Sequence, residues 1–463
     1  MVCAPDPHFD AQRAECQAPL LVGDSAEVGG HIAAPGIEVF ELSKVGLGQA
    51  EDSYTIFHPA EVELQGTVDA VLKTVEELKP ARIALDSLSE MRLLAREPLR
   101  FRRQILGLKQ FFAGRDCTVL LLDDKTSPEG DLQLHSLAHG VVVLEHVALE
   151  YGSERRRLQV TKVRGVRFRG GFHDFRIERG GIRVFPRILH DQPRVELSDK
   201  QISSGSESLD KMLGGGVACG SSMLITGAAG TGKSILCAQF AHAALSRGEK
   251  VLFYLFDERL GTFTQRSDAL DISTKDERES GQLMVAQVEP TELSPGEFAN
   301  QVVRAVEERG VKLVVIDSIN GYLQSMPQER LLAVQIHELL SFLSNNGVTC
   351  LMTLVQHGIF GNPVDEAVDV SYLADTVLLM RYFEVHGEVR QAISVVKKRS
   401  GDHERTIREF KVSKGGLKVG EPLHEFQGVL TGVPRYTGNN TPLMQEGEMA
   451  ISPIRGAKKA PRA

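Results

Sequence analysis

The 463-residue chain contains no tryptophan, only 6% aromatic residues, and six cysteines (Cys3, Cys16, Cys117, Cys219, Cys237 and Cys350), none of them in a C-x-x-C pair. Thiols scattered in this way exclude a zinc ribbon or a disulfide framework and read as reduced, mostly buried side chains. No window approaches the roughly 20 apolar residues needed to cross a bilayer, and Met1 to Asp10 lack the basic-then-apolar order of a secretory signal. No membrane association and a cytoplasmic location are therefore expected. Excess positive charge is missing too: the formal net charge is −8 and the pI near 6.0. The electrostatic footprint of a nucleic-acid binder is thus absent, and no basic-aromatic stripe replaces it, so nucleic acid is not an expected partner. At 42% hydrophobic and 25% charged, the composition is that of a globular chain of two or three domains.

What is present is a phosphate loop. Gly227-Ala228-Ala229-Gly230-Thr231-Gly232-Lys233-Ser234 follows the apolar run Ser222 to Thr226 and opens the helical pattern Ile235 to Leu245. The spacing is G-x-x-x-x-G-K-[ST], in which glycines let successive backbone N–H groups turn toward a phosphate. The start of the helix adds unsatisfied donors and the positive end of its dipole. Lys233 is placed to reach the β- and γ-phosphates of ATP, and Ser234 to ligate Mg²⁺.

The two halves of the chain echo each other. Lys162 and Lys397, and Phe175 and Phe410, lie 235 positions apart, each pair embedded in matching sequence; Arg82 to Leu85 before Asp86 matches Lys312 to Ile316 before Asp317. A repeat this long predicts two α/β lobes, a first over 1–194 and a second over 195–433, followed by a disordered tail over 434–463. In the second lobe strand and helix patterns alternate from Met223 to Leu354, as a parallel sheet requires; Val377 to Val419 then reads as an antiparallel meander. The first lobe lacks a G-K-[ST] sequence. Lys233 precedes Asp317 by 84 positions, so its counterpart before Asp86 would fall at position 2. Only Leu20-Leu21-Val22 offers a weak strand ahead of Gly36 to Phe40, and a first lobe without its leading strand, loop and helix is expected, by genuine loss or a mis-assigned start. Asp86 then reads as structural.

Other candidates cluster in the second lobe. Asp317 ends an apolar strand, the position from which a carboxylate holds Mg²⁺ across from Ser234. Asp257 and Glu258 follow the strand Val251 to Phe256, where a carboxylate can activate a nucleophile; the alternative is a helix cap. Lys397 and Arg399, two apart on a strand, share a face. They suit an anion supplied by a neighbouring subunit, and the alternative is a solvated basic edge. Gln356 follows the strand Val348 to Leu354, either as a γ-phosphate sensor or as a plain loop residue.

Together with the segment Ile202 to Gly216 and Ile407-Arg-Glu-Phe410, these features resemble the KaiC-like branch of the RecA superfamily, from about Gly36 to Val433. The resemblance implies two tandem RecA-like P-loop lobes, ATP with Mg²⁺ bound between subunits of a hexameric double ring, slow ATP hydrolysis, and serine/threonine autokinase activity in the second lobe. It gives Asp257 and Glu258 the catalytic acidic pair, Lys397 and Arg399 the places acting across the subunit boundary, and Ser371, followed by Tyr372, the place of a phosphate acceptor. A signalling protein of unknown identity is the implied partner. Two further readings stay open: a RecA- or DnaB-like DNA-dependent ATPase, and a nucleotide-gated interaction module without phosphotransfer.

Overall fold

The computed structural model describes residues 20–23, 38–41, 59–95, 97–124, 131–149, 152–188, 200–272, 274–289, 291–324, 332–356, 371–385, 387–429 and 435–436. The expected disordered tail lies outside these residues, apart from 435–436. The chain forms two compact units, one of residues 1–143 with 159–170, the other of 144–158 with 171–463.

In the first unit, strands β1 (Leu20–Gly23), β2 (Glu38–Glu41), β3 (Arg82–Leu85) and β4 (Thr118–Leu121) form a parallel sheet in the order β2-β1-β3-β4. Helices α1 (Pro59–Leu78), α2 (Leu88–Ala95) and α3 (Pro98–Phe112) pack Val71, Met91, Ile105 and Leu108 against Ile83 and Leu85. A shorter helix, α4 (Asp131–Leu137), follows β4. Side chains alternate along a strand, so the opposite face carries Leu120, 49% exposed, and Leu122, 42% exposed. Strands β5 (Gly140–Val147) and β6 (Arg155–Val163) contribute residues to both units.

In the second unit β7 (Phe172–Glu178) and β8 (Gly181–Phe185) form a hairpin, paired from Asp174–Phe185 to Glu178–Gly181. A two-residue ladder of β9 (Gln201–Ile202) and β10 (Val217–Ala218) flanks α5 (Glu207–Met212). A nine-stranded sheet follows. Its strands are β11 (Ser222–Gly227), β12 (Lys250–Leu255), β13 (Leu283–Gln287), β14 (Val311–Asp317), β15 (Thr349–Val355), β16 (Thr376–Val385), β17 (Glu388–Lys398), β18 (Arg408–Ser413) and β19 (Gly416–Pro422). The order is β13-β12-β14-β15-β11-β16-β17-β18-β19, parallel as far as β16 and antiparallel beyond. The expected α/β fold, a parallel sheet with an appended meander, is what the chain forms.

Both faces of this sheet are covered, so its central strands read as continuous apolar runs and all six residues of β11 are buried. One face packs α6 (Lys233–Ser246) and α7 (Leu260–Ala269) through Leu236, Phe240 and Phe263; α8 (Lys275–Glu279) follows α7. The other packs α9 (Pro295–Arg309), α10 (Ile319–Gln324) and α11 (Leu332–Asn345) through Phe298, Tyr322 and Leu339. Helix α9 shows how local sequence fixes an element. The Ser294 hydroxyl accepts from the Glu297 N–H at 3.2 Å, Pro295 opens the first turn, and Gly310 closes the helix at φ 70°. Between these ends, Phe298, Val302, Ala305 and Val306 recur at helical spacing and are buried. The Phe298 ring lies 4.8 Å from that of Tyr254 and 5.1 Å from that of Tyr322.

Candidate functional site

Parallel strands bring their carboxyl ends to one rim, and β11, β12, β14 and β15 deliver the phosphate loop, Asp257-Glu258, Asp317 and Gln356 there in turn. The loop needs its glycines. A Cβ at Gly227 would run into the Met380 carbonyl on β16, and Gly232 caps α6 in the left-handed region at φ 100°. Thr231 donates to the Ala228 carbonyl at 2.9 Å, tying the loop to itself. Gly230 lies in the left-handed region at φ 78°, which favours glycine, and a Cβ there would meet the hydroxyl of Tyr382 on β16 at 2.9 Å.

Lys233 is 5% exposed and donates to the carbonyls of Gly227 at 2.9 Å and Ala228 at 2.7 Å, curling over the loop that precedes it. Burial pulls its ammonium down to about 8, opposed by the charge of Asp317. The same neighbourhood reaches the Cys237 thiol on α6, which burial pushes far up and on which Asp317, Arg266 and Lys233 all act. Loop lysine, strand-ending aspartate and Arg266 therefore belong to one locus.

The acidic residues are each held by a side chain that the sequence reading did not single out. Thr353 on β15 donates to Asp317 Oδ1 at 2.5 Å. Ser318 donates to Asp257 Oδ2 at 2.5 Å, and Arg266 on α7 pairs with Glu258 Oε1 at 2.5 Å. Asn320 locks the end of β15, with its amide donating to the Val355 carbonyl and its carbonyl accepting the Val355 N–H. The Gln356 N–H donates to the Gly227 carbonyl at 3.1 Å, which joins this end of β15 to the start of the phosphate loop. The capping alternative for Asp257 and Glu258 fails, because the N-cap of α7 is Arg259 and makes no side-chain capping bond. The bonds of Thr353, Ser318, Asn320 and Gln356 could not be read from spacing, since each joins elements brought together by sheet order.

Lys397 and Arg399 are not on this rim. Lys397 pairs with Val377, which is level with Leu224, three residues before Gly227 and about 10 Å back along the strand. Lys397 donates to the carbonyls of Ser371 at 3.1 Å and Ala374 at 2.8 Å. Arg399 donates to the Tyr372 carbonyl at 2.7 Å and to Asp375 Oδ1 at 3.2 Å. Asp375 in turn accepts from the N–H and hydroxyl of Ser222, both at 2.9 Å. The two cations therefore clamp the turn that carries Ser371. β17 lies between β16 and β18, and its pairing with β18 covers Gln391 to Ile393, short of Lys397.

The first unit repeats this clamp. Lys162 donates to the His135 carbonyl at 2.5 Å, and Arg164 to the Ser136 carbonyl at 2.8 Å. Ser136 and Ser371 are also 235 positions apart. Asp86 lines a cavity of about 20 Å³ with Val68, Val71, Leu85 and Met91 among others.

A parallel sheet with a glycine-rich loop and a helix opening on lysine after one central strand, and an aspartate ending another, defines a RecA-type nucleotide-binding domain. The chain matches the model of the KaiC ATPase family over residues 31–188 and 202–424. It belongs to that family. It is 26% identical over 385 residues to the circadian clock protein KaiC3 of Synechocystis sp., covering 82% of this chain and 76% of the relative. It is 24% identical over 377 residues to the circadian clock oscillator protein KaiC of Acaryochloris marina, covering 81% and 72%. The KaiC of Thermostichus vulcanus matches at 24% over 376 residues, 80% and 72%. Among the described residues no helix is long and apolar enough to cross a membrane.

Proposed function

We propose that the protein is an ATP-hydrolysing signalling ATPase of the KaiC kind with one working nucleotide site per chain, in the second lobe. The observation that carries this reading is the convergence of the Gly227–Ser234 loop, Asp317 and the Asp257–Glu258 pair at one rim of a single sheet. Main-chain amides and Lys233 grip the triphosphate, and Glu258 takes the proton of the attacking water. The donor set suits Mg²⁺, a hard cation, because Ser234 opens α6 beside the loop and Asp317 is held by Thr353. When bound by Ser234 and Asp317, the metal would supply positive charge to the β- and γ-phosphates. Such a site works where ATP is abundant, in keeping with a cytoplasmic location.

The first lobe, on this reading, binds no nucleotide. Its strand order β2-β1-β3-β4 runs parallel to β13-β12-β14-β15, and β4 ends its sheet where β15 continues into β11. The strand that carries the phosphate loop has no counterpart among the described residues. Lys397 and Arg399 lie too far back along their strand to serve their own loop, which supports their acting on the nucleotide of a neighbouring subunit in a closed ring, a hexamer by family resemblance. Ser371, in the turn they clamp, is the proposed phosphate acceptor of an autokinase activity, and a signalling protein reads the resulting state.

Lys233→Ala tests the core of the proposal. Calorimetry and a phosphate-release assay should show ATP binding and turnover lost while the melting temperature is kept; retained turnover would place the nucleotide elsewhere. The nucleotide-gated module without phosphotransfer gains from the way Lys397 bonds the Ser371 carbonyl, a restraint on the acceptor turn. Incubation with γ-labelled ATP separates the two, since label on the peptide containing Ser371 appears only in the autokinase.

A further inference from the structure

Arg266 sits in the last turn of α7, eight residues after Glu258. Its Nη1 donates to Glu258 Oε1 at 2.5 Å, with the two side chains 25% and 18% exposed. The pairing is one-pronged. Glu258 Oε2 and Arg266 Nη2 are both sealed from solvent and neither has a hydrogen-bond partner. An ion pair that served stability alone would gain from closing the bidentate fork that arginine and carboxylate readily form. Here one oxygen is fixed and the other is left as an acceptor with nothing to accept, a costly state for a buried polar atom unless a ligand completes it. The pair also lies at the nucleotide locus, since Arg266, Lys233 and Asp317 all act on the Cys237 thiol.

We propose that Arg266 is a positioning residue for ATP hydrolysis: by occupying Glu258 Oε1, it aims the second oxygen, Oε2, at the attacking water. This rests on the assignment of Glu258 as the base. In the step, the water oxygen forms a bond to the γ-phosphorus, the bond from that phosphorus to the β–γ bridging oxygen breaks, and the water's proton passes to Glu258 Oε2. The products are ADP and phosphate. Arg266 touches neither the water nor the phosphate in this scheme, so its removal should slow turnover without weakening nucleotide binding.

The test uses the full chain as wild type, Arg266→Gln, Arg266→Lys, Glu258→Gln and the double variant Arg266→Gln/Glu258→Gln. The readouts are kcat, KM and the Kd for a non-hydrolysable ATP analogue with Mg²⁺, alongside melting curves. Arg266→Gln is expected to lower kcat about 10- to 100-fold, a part of the usual general-base contribution, with Kd changed less than about twofold. Arg266→Lys should recover part of the rate, and the double variant should fall no lower than Glu258→Gln alone, because both changes disable one device. Wild-type kcat in a folded Arg266→Gln, or losses that multiply in the double variant, would overturn the proposal. If Arg266→Gln fails to fold, Arg266→Lys and its double with Glu258→Gln carry the same comparison. The underlying reading fails separately, if the wild type shows no turnover or Glu258→Gln keeps the full rate.

Discussion

Lys233 makes nucleotide affinity depend on pH in a range where an ordinary lysine would not. Its usual value of 10.5 is pulled to about 8 by burial in the loop. Between those two values the unfolded chain keeps this lysine charged, while the folded protein without nucleotide holds it largely neutral. The unfolded state then binds more protons, so this group makes folding more favourable as pH rises through the window. Binding behaves oppositely, because the triphosphate needs the ammonium form and must restore the proton. Each unit above about 8 should then cost about tenfold in apparent affinity, and the protein should bind about tenfold more weakly at pH 9 than at pH 7. Calorimetry with a non-hydrolysable analogue and Mg²⁺, run in two buffers of different ionisation enthalpy, reads both affinity and uptake of about half a proton at pH 8. Lys233→Arg should lose the dependence whatever its absolute affinity, since a guanidinium stays charged throughout. Equal affinity at pH 7 and 9 with no proton uptake would refute the claim that burial controls this side chain.

Three further outcomes follow from the geometry. Lys233→Ala and Arg399→Ala, each inactive alone, should regain part of the ATP turnover when mixed and reassembled, if the clamp cation serves a neighbour's site; a mixture as inactive as its parts would confine the action to one chain. Phe298→Ala removes a 1%-exposed ring from among Tyr254, Phe256 and Tyr322 and should cost about 3–5 kcal/mol in urea unfolding of the second unit; a loss under about 1 kcal/mol would mean that the core refills the space. Lys162→Ala should loosen the turn at 135–139 and leave ATP affinity unchanged, measured by hydrogen exchange and calorimetry; an altered nucleotide Kd would tie the first lobe's clamp to a nucleotide after all.

Much of the second lobe was legible because its signals are local. A strand, a glycine-spaced loop and a helix in immediate succession can be read from one stretch of sequence. The apolar runs Met223 to Ile225 in β11 and Leu313 to Ile316 in β14 also declare themselves as central parallel strands. Their partners could not be read that way. Thr353 and Ser318 look like ordinary strand and loop residues, and they meet Asp317 and Asp257 only because β12, β14 and β15 are neighbours in the sheet. The Glu258 pairing illustrates the limit best: an acid and a base eight apart, with an unrelated helix start between them, carry no periodic signal.

The first lobe presents the reverse case, in which a residue pair was visible but its purpose was not. Lys162 and Arg164 lie 235 positions before Lys397 and Arg399, in matching sequence. The structure supplies their work. In both units the lysine and arginine spend donors on main-chain carbonyls, those of Ser371, Tyr372 and Ala374 in the turn before β16 in one case and those of His135 and Ser136 at the end of α4 in the other. The lysine-bonded carbonyls are half-buried, and such carbonyls left without donors are costly, so holding these segments is a task that needs no nucleotide. On the function proposed above, a role at a neighbour's phosphate in the second lobe comes on top of this structural task, which the same pair performs in both units without any nucleotide.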